Sequence, residues 1–197
     1  MSRQTLREEI AARLPASIPG LDGESIQLVV PTDPMPAAYH DIKEQVTVLI
    51  ETHSPNLVVH MGLEFPDIRR KVFTRAVNKK VFAKSPVSLS TTLDTDAAEE
   101  IWRAGCASIT LATQKGSQHD AKKGIRPRLQ NVLVQISDDI GTYVCGFCYY
   151  VALLHLQSLT GRRHAVFFHV PPLETEADIL VGVRVTQEVV RALVYVM

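Results

Sequence analysis

The sequence predicts an α/β protein: a three-layer α/β/α sandwich around a largely parallel central sheet. Three observations carry that reading. Short apolar runs alternate with amphipathic helical stretches from one end of the chain to the other. One of those runs, NLVVHMG at 56–62, is apolar on both faces, as a strand covered on both sides is. Neither an internal repeat nor a dividing linker interrupts the pattern, so 1–197 reads as a single domain.

The elements follow in order. Leu6, Ile10 and Leu14 stand four residues apart and predict a helix over 3–14, stopped by Pro15, Pro19 and Gly20. IQLVV at 26–30 predicts a strand that ends at Pro31. Ile42, Val46, Leu49 and Ile50 share one helical face over 37–53, and Ser54-Pro55 stops that helix. The strand at 56–62 comes next. The stretch from Leu63 to Thr92 mixes basic and apolar residues without a clear period. Asp94-Thr95-Asp96 reads as a helix cap with acids in the first turn, and Gly105 as that helix's end.

CASITLAT at 106–113 alternates and predicts a strand opened by Cys106. Residues 114–130 are polar, basic and rich in breakers, which predicts a surface loop. NVLVQISDD at 131–139 predicts a further strand, and Val144 to Leu159 a helix. After the turn at Gly161 comes the strand at 164–171. A last helix over 175–196 presents Ile179, Val183, Val190 and Leu193.

Composition limits the function. Lys+Arg and Asp+Glu both number 21, and zero net charge argues against a general polyanion binder. Three cysteines in 197 residues form no disulfide framework and suit a reducing compartment, so the expected location is cytoplasmic. The first residues are charged and lack an apolar core, unlike a secretory signal. No stretch of about 18 uncharged apolar residues predicts a membrane span. The sequence calls for no cofactor, no metal, no nucleic acid and no membrane.

The candidate chemistry lies in ISDDIGTYVCGFCYYVALLHLQ and the following AVFFHVPP. Cys145 falls in the first turn of a helix. Unpaired N–H groups and the positive dipole end favour thiolate there, and the same N–H groups can hold an oxyanion. His169 falls at the end of the next strand. Helix starts and strand ends of a parallel sheet share one edge, so a base and a nucleophile can meet there. Taken alone, Cys145 reads more readily as a small buried apolar residue and His169 as a hydrogen-bonded core or edge residue; it is the pair together that brings the catalytic reading level.

DDIGTYVCGFCYY resembles the nucleophile motif of the pyroglutamyl peptidase type I family, a Gly-Thr/Arg-Tyr/Phe-hydrophobe-Cys turn followed by an aromatic helix. FFHVPP resembles that family's histidine motif. NLVVHMGL resembles the strand before its glutamate segment, and the resemblance runs through most of the chain from about Ser2. It implies a cysteine peptidase whose substrate is a peptide with an N-terminal pyroglutamate. Cys145 would attack the pyroglutamyl carbonyl, and His169 would take the thiol proton and pass it to the leaving amine.

The chain departs from the family at two places. It lacks the family's first strand with its aromatic loop, and HMGL runs directly into EFPDIRRKVF, without the Glu-bearing segment. The domain is therefore expected to be incomplete at the N-terminus and after Leu63. Glu64 and Asp67 are the nearest acids, and neither matches the motif, so no triad glutamate is assigned.

Rival readings stay open. Cys145-Gly-Phe-Cys148 is a C-x-x-C at a helix start, the arrangement of a thiol-disulfide oxidoreductase. A family member without catalysis would be a binding protein. Zinc held by the two cysteines and a histidine falls short of the four ligands of a structural site. His60 and His155 read as core histidines, Cys148 as a packed helix residue, and His40, His53, His119 and His164 as surface or turn residues. The basic loop with Lys115, Lys122, Lys123, Arg126 and Arg128 has no interleaved aromatic and reads as a solvated loop.

Overall fold

In a computed structural model the described residues are 5–63, 82–112, 129–137, 140, 144–171, 173 and 175–197. They comprise α1 (Thr5–Ala12), β1 (Ser17–Pro19), β2 (Ser25–Gln27), α2 (Tyr39–His53), β3 (Val58–Leu63), α3 (Thr95–Cys106), β4 (Thr110–Ala112), β5 (Leu129–Asn131), α4 (Val144–Thr160), β6 (Ala165–Val170) and α5 (Glu176–Tyr195). The protein is α/β, with a parallel β3–β6 pair and antiparallel β1–β2 and β4–β5 pairs. Among the described residues the strands join two by two, so the three-layer arrangement around one sheet is not traced through them. The chain forms two compact units. One comprises 1–28, 95–136 and 173–196, and the other 29–94 and 137–172 with Met197.

The first unit is built on α5. Thr175 and Asp178 close a reciprocal capping box at its N-terminus, which satisfies two otherwise unpaired N–H groups. Ile179, Val183, Val190 and Leu193 are buried, as their spacing predicts. A carbon added at Gly182 would meet Ile10 Cδ1 at 2.7 Å, so the small residue lets α1 lie close against α5. Trp102 Nε1 donates to the Val185 carbonyl at 3.2 Å.

Four expectations change here. The helix expected to end at Gly105 continues to Cys106, because Ala98, Trp102 and Cys106 form its buried stripe. Cys106 thus closes a helix and does not open a strand. Gly105 is small for another reason: a Cβ there would lie 2.6 Å from Glu188 Oε2. The strand expected at 106–113 shrinks to Thr110–Ala112. The strand expected over 131–139 is Leu129–Asn131 instead. Beyond it, Arg103 Nε donates to the Val134 carbonyl and Glu99 accepts from Ile136 N, so side chains of α3 take bonds that a neighbouring strand would make. Finally, IQLVV yields only Ser25–Gln27, paired with β1 around a turn that needs Gly23 at φ 89°. The basic-loop residues Lys115, Lys122, Lys123, Arg126 and Arg128 lie outside the described residues.

The second unit holds the candidate site. Ile42, Val46 and Ile50 of α2 pack with Phe147, Val151, Ala152, Leu153 and Leu156 of α4 and Ala165 of β6. Burying each larger side chain here is worth about 1.5–3 kcal/mol. Ser54 ends α2 in the left-handed region at φ 44°. Edge-on ring contacts of Phe147 with Tyr39 and Phe82, and of Phe82 with Tyr150, fix the start of α4. The Thr91 hydroxyl donates to the Arg163 carbonyl and Arg163 Nε to that of Ser90, tying the segment before α3 to the lead-in of β6.

Candidate functional site

The β3–β6 register arranges the site. Val58 pairs with Ala165, His60 with Phe167, and Gly62 with His169. Side chains alternate along a strand, so His60, Gly62, Phe167 and His169 occupy one face. Gly62 and His169 are the penultimate residues of their strands, at the carboxyl edge where α/β proteins bind ligands.

The first turn of α4 lies over this face. Cys148 Sγ is 3.2 Å from His60 Nδ1. A Cβ on Gly62 would lie 3.5 Å from Cys145 Sγ. The helix therefore sets Cys148 over the inner rung and Cys145 over the outer one, beside the position of His169.

The two thiols differ in environment. Cys148 is buried, and burial, followed by charge at Cys145, pushes its thiol up to about 12. His60 is half-buried, and the loss of hydration there lowers its pKa to about 4. The Cys148–His60 pair is thus a neutral hydrogen bond, poorly suited to forming a thiolate. Met35 Sδ packs on the same sulfur at 3.7 Å. Cys145 is only partly buried and sits at the second position of α4, where N–H groups have no partner within the helix and the dipole is positive. That setting favours a thiolate. Cys106 is buried in the other unit, with its thiol raised to about 11 by burial and by Glu188.

The sequence reading overlooked the surroundings of this pair. His60 and Phe167 share the face of His169, and Cys148 sits on His60. The period-two spacing of His60 with Gly62, and of Phe167 with His169, was the available signal. Phe167 stacks on His60 at 6.0 Å and meets His169 at 4.8 Å between ring centres. Among the described residues no group of three or more His, Cys, Asp or Glu could hold a metal ion. The residues Glu64, Asp67 and Gly141 lie outside the described residues. His155 comes within 3.3 Å of Glu51. No helix among the described residues is long and apolar enough to cross a membrane.

Fold and site together define an α/β protein with a thiol at a helix mouth and a histidine at the edge of the neighbouring strand. The chain is 28% identical over 156 residues to human "Pyroglutamyl-peptidase 1-like protein", covering 78% of this chain and 70% of that one. It is 29% identical over 151 residues to "Pyroglutamyl-peptidase 1" of Rattus norvegicus and of Mus musculus, covering 77% of this chain and 65% of each. No family model and no solved structure matches it. The chain is a relative of the pyroglutamyl-peptidase 1 proteins and spans about two thirds of the length of those it matches.

Proposed function

We propose that this chain is a cysteine-type omega peptidase that removes an N-terminal pyroglutamyl residue from peptides, with Cys145 as nucleophile and His169 as base. One observation carries the reading. Gly62, whose added side chain would touch Cys145 Sγ, stands directly opposite His169 in the β3–β6 register. The names of the relatives support the substrate class.

In the first half-reaction, Cys145 Sγ attacks the pyroglutamyl carbonyl carbon as its proton passes to His169. N–H groups at the start of α4 stabilise the oxyanion. The intermediate collapses, the C–N bond breaks, and His169 returns the proton to the leaving amine. Water then attacks the thioester, with His169 again as base, releasing pyroglutamate and the free thiol. No acid is assigned to orient His169. Three free cysteines fit a reducing compartment such as the cytosol.

The test is hydrolysis of a fluorogenic pyroglutamyl amide. The reading requires turnover that Cys145→Ala abolishes; an inert wild-type protein, or turnover that survives this substitution, removes it.

A further inference from the structure

Gly62 is more than a spacer between the two proposed catalytic groups. A Cβ at this position would lie 2.8 Å from both Cε1 and Cζ of Phe167, a separation that side-chain carbons do not tolerate, but only in ordinary contact with Cys145 Sγ at 3.5 Å. The bare backbone therefore makes room chiefly for the Phe167 ring, which lies across β3 where a side chain would stand. In that slot the ring is held from one side by His60, nearly parallel to it at 21° and 6.0 Å. On its other side it meets His169 at 4.8 Å, tilted by 45°. His60 is itself fixed by the Cys148 sulfur at 3.2 Å. The Phe167 ring thus links His60 to His169 through two ring contacts.

We infer that Phe167 is a positioning residue for the His169 imidazole, and that Gly62 is required because it opens the slot in which Phe167 does this. The inference rests on the proposed pairing of Cys145 with His169. Phe167 touches neither the thiol proton nor the acyl carbon. It limits the angles open to the imidazole, so the ring presents a nitrogen toward the first turn of α4. An alanine at Gly62 pushes the Phe167 ring aside and releases His169 with little direct effect on the sulfur.

The test uses the full chain and variants Gly62→Ala, Phe167→Leu, Phe167→Tyr and the double variant Gly62→Ala/Phe167→Leu. The readout is the pH profile of Cys145 alkylation by iodoacetamide, which needs no substrate. A thiol paired with a positioned imidazole keeps a reactive limb below the range of an ordinary thiol. We expect Gly62→Ala and Phe167→Leu each to lose that limb, slowing alkylation at neutral pH about tenfold. Phe167→Tyr keeps the ring and stays within about twofold of wild type. The double variant is no slower than either single one, because the slot and the ring serve one purpose. Thermal unfolding of each variant separates this from loss of fold. If Gly62→Ala does not fold, the Phe167→Leu and Phe167→Tyr pair decides alone. An unchanged limb in Phe167→Leu, or additive losses in the double variant, overturns the inference while the Cys145–His169 reading stands. A wild-type protein without the limb overturns both.

Discussion

Cys148 Sγ and His60 Nδ1 lie 3.2 Å apart, within hydrogen-bonding reach, yet loss of hydration keeps both neutral. Distance alone would select this pair as nucleophile and base. Environment selects against it, because a thiolate and an imidazolium both lose their hydration there. The partly exposed Cys145 lies one helical turn earlier, at the positive end of α4, a setting that favours a thiolate over a thiol.

Thiol reactivity should therefore be confined to one site. We expect iodoacetamide at pH 7.5 to label the native protein once, at Cys145, with Cys106 and Cys148 modified only after unfolding. Peptide mapping by mass spectrometry reads the result. Equal labelling of Cys145 and Cys148, or a reversible disulfide between them, would favour the oxidoreductase reading.

Catalysis should divide the same residues in the same way. Cys145→Ala should abolish hydrolysis of a pyroglutamyl amide. His169→Ala should lower kcat by roughly 10²–10⁴-fold, the usual worth of a positioned acid–base group. Cys148→Ser should change kcat less than about threefold, because the serine hydroxyl can keep the contact with His60 and Cys148 takes no part in the proposed proton transfers.

His60 should make the protein acid-sensitive. Burial lowers its pKa from 6.5 to about 4, so the unfolded chain takes up a proton below pH 6.5 that the folded chain refuses. Stability from this group is complete above pH 6.5 and is lost as the pH falls toward 4, by about 3 kcal/mol in all. Denaturant unfolding of wild type and His60→Leu at pH 7 and pH 4.5 should show a steeper loss in the wild type. Parallel slopes for the two proteins would show that His60 does not carry the effect.

The capping box of α5 gives a prediction for the other unit. Thr175→Ala removes the hydroxyl that accepts from Asp178 N and should cost about 1 kcal/mol. Thr175→Ser should restore most of it. Chemical denaturation measures both, and equal stability of Thr175→Ala and wild type would show that the cap is dispensable.

Leu153 is fully buried between α2 and the strands of its unit. Leu153→Ala should destabilise the protein by about 2–5 kcal/mol, through lost transfer energy and the cavity left behind. Leu153→Met should cost less than about 1.5 kcal/mol.

Periodicity and punctuation in the chain determined the helices α1 to α5 and the strands β3 and β6, because four-residue apolar spacing, Ser54-Pro55 and Gly161 act through local sterics and burial. The candidates Cys145 and His169 were legible for the same reason: one residue begins a helix and the other ends a strand. Cys106, the stretch 131–139 and the hairpin of β1 and β2 were not, since an alternating apolar run looks alike whether its backbone bonds go to a strand or to Arg103 and Glu99. Only the tertiary structure decided that Cys148 faces His60 and that Cys145 lies over Gly62. That depends on the register of β3 against β6 and on how far α4 slides along them, and both are set by packing between residues far apart in the chain, such as Gly62 against Phe167.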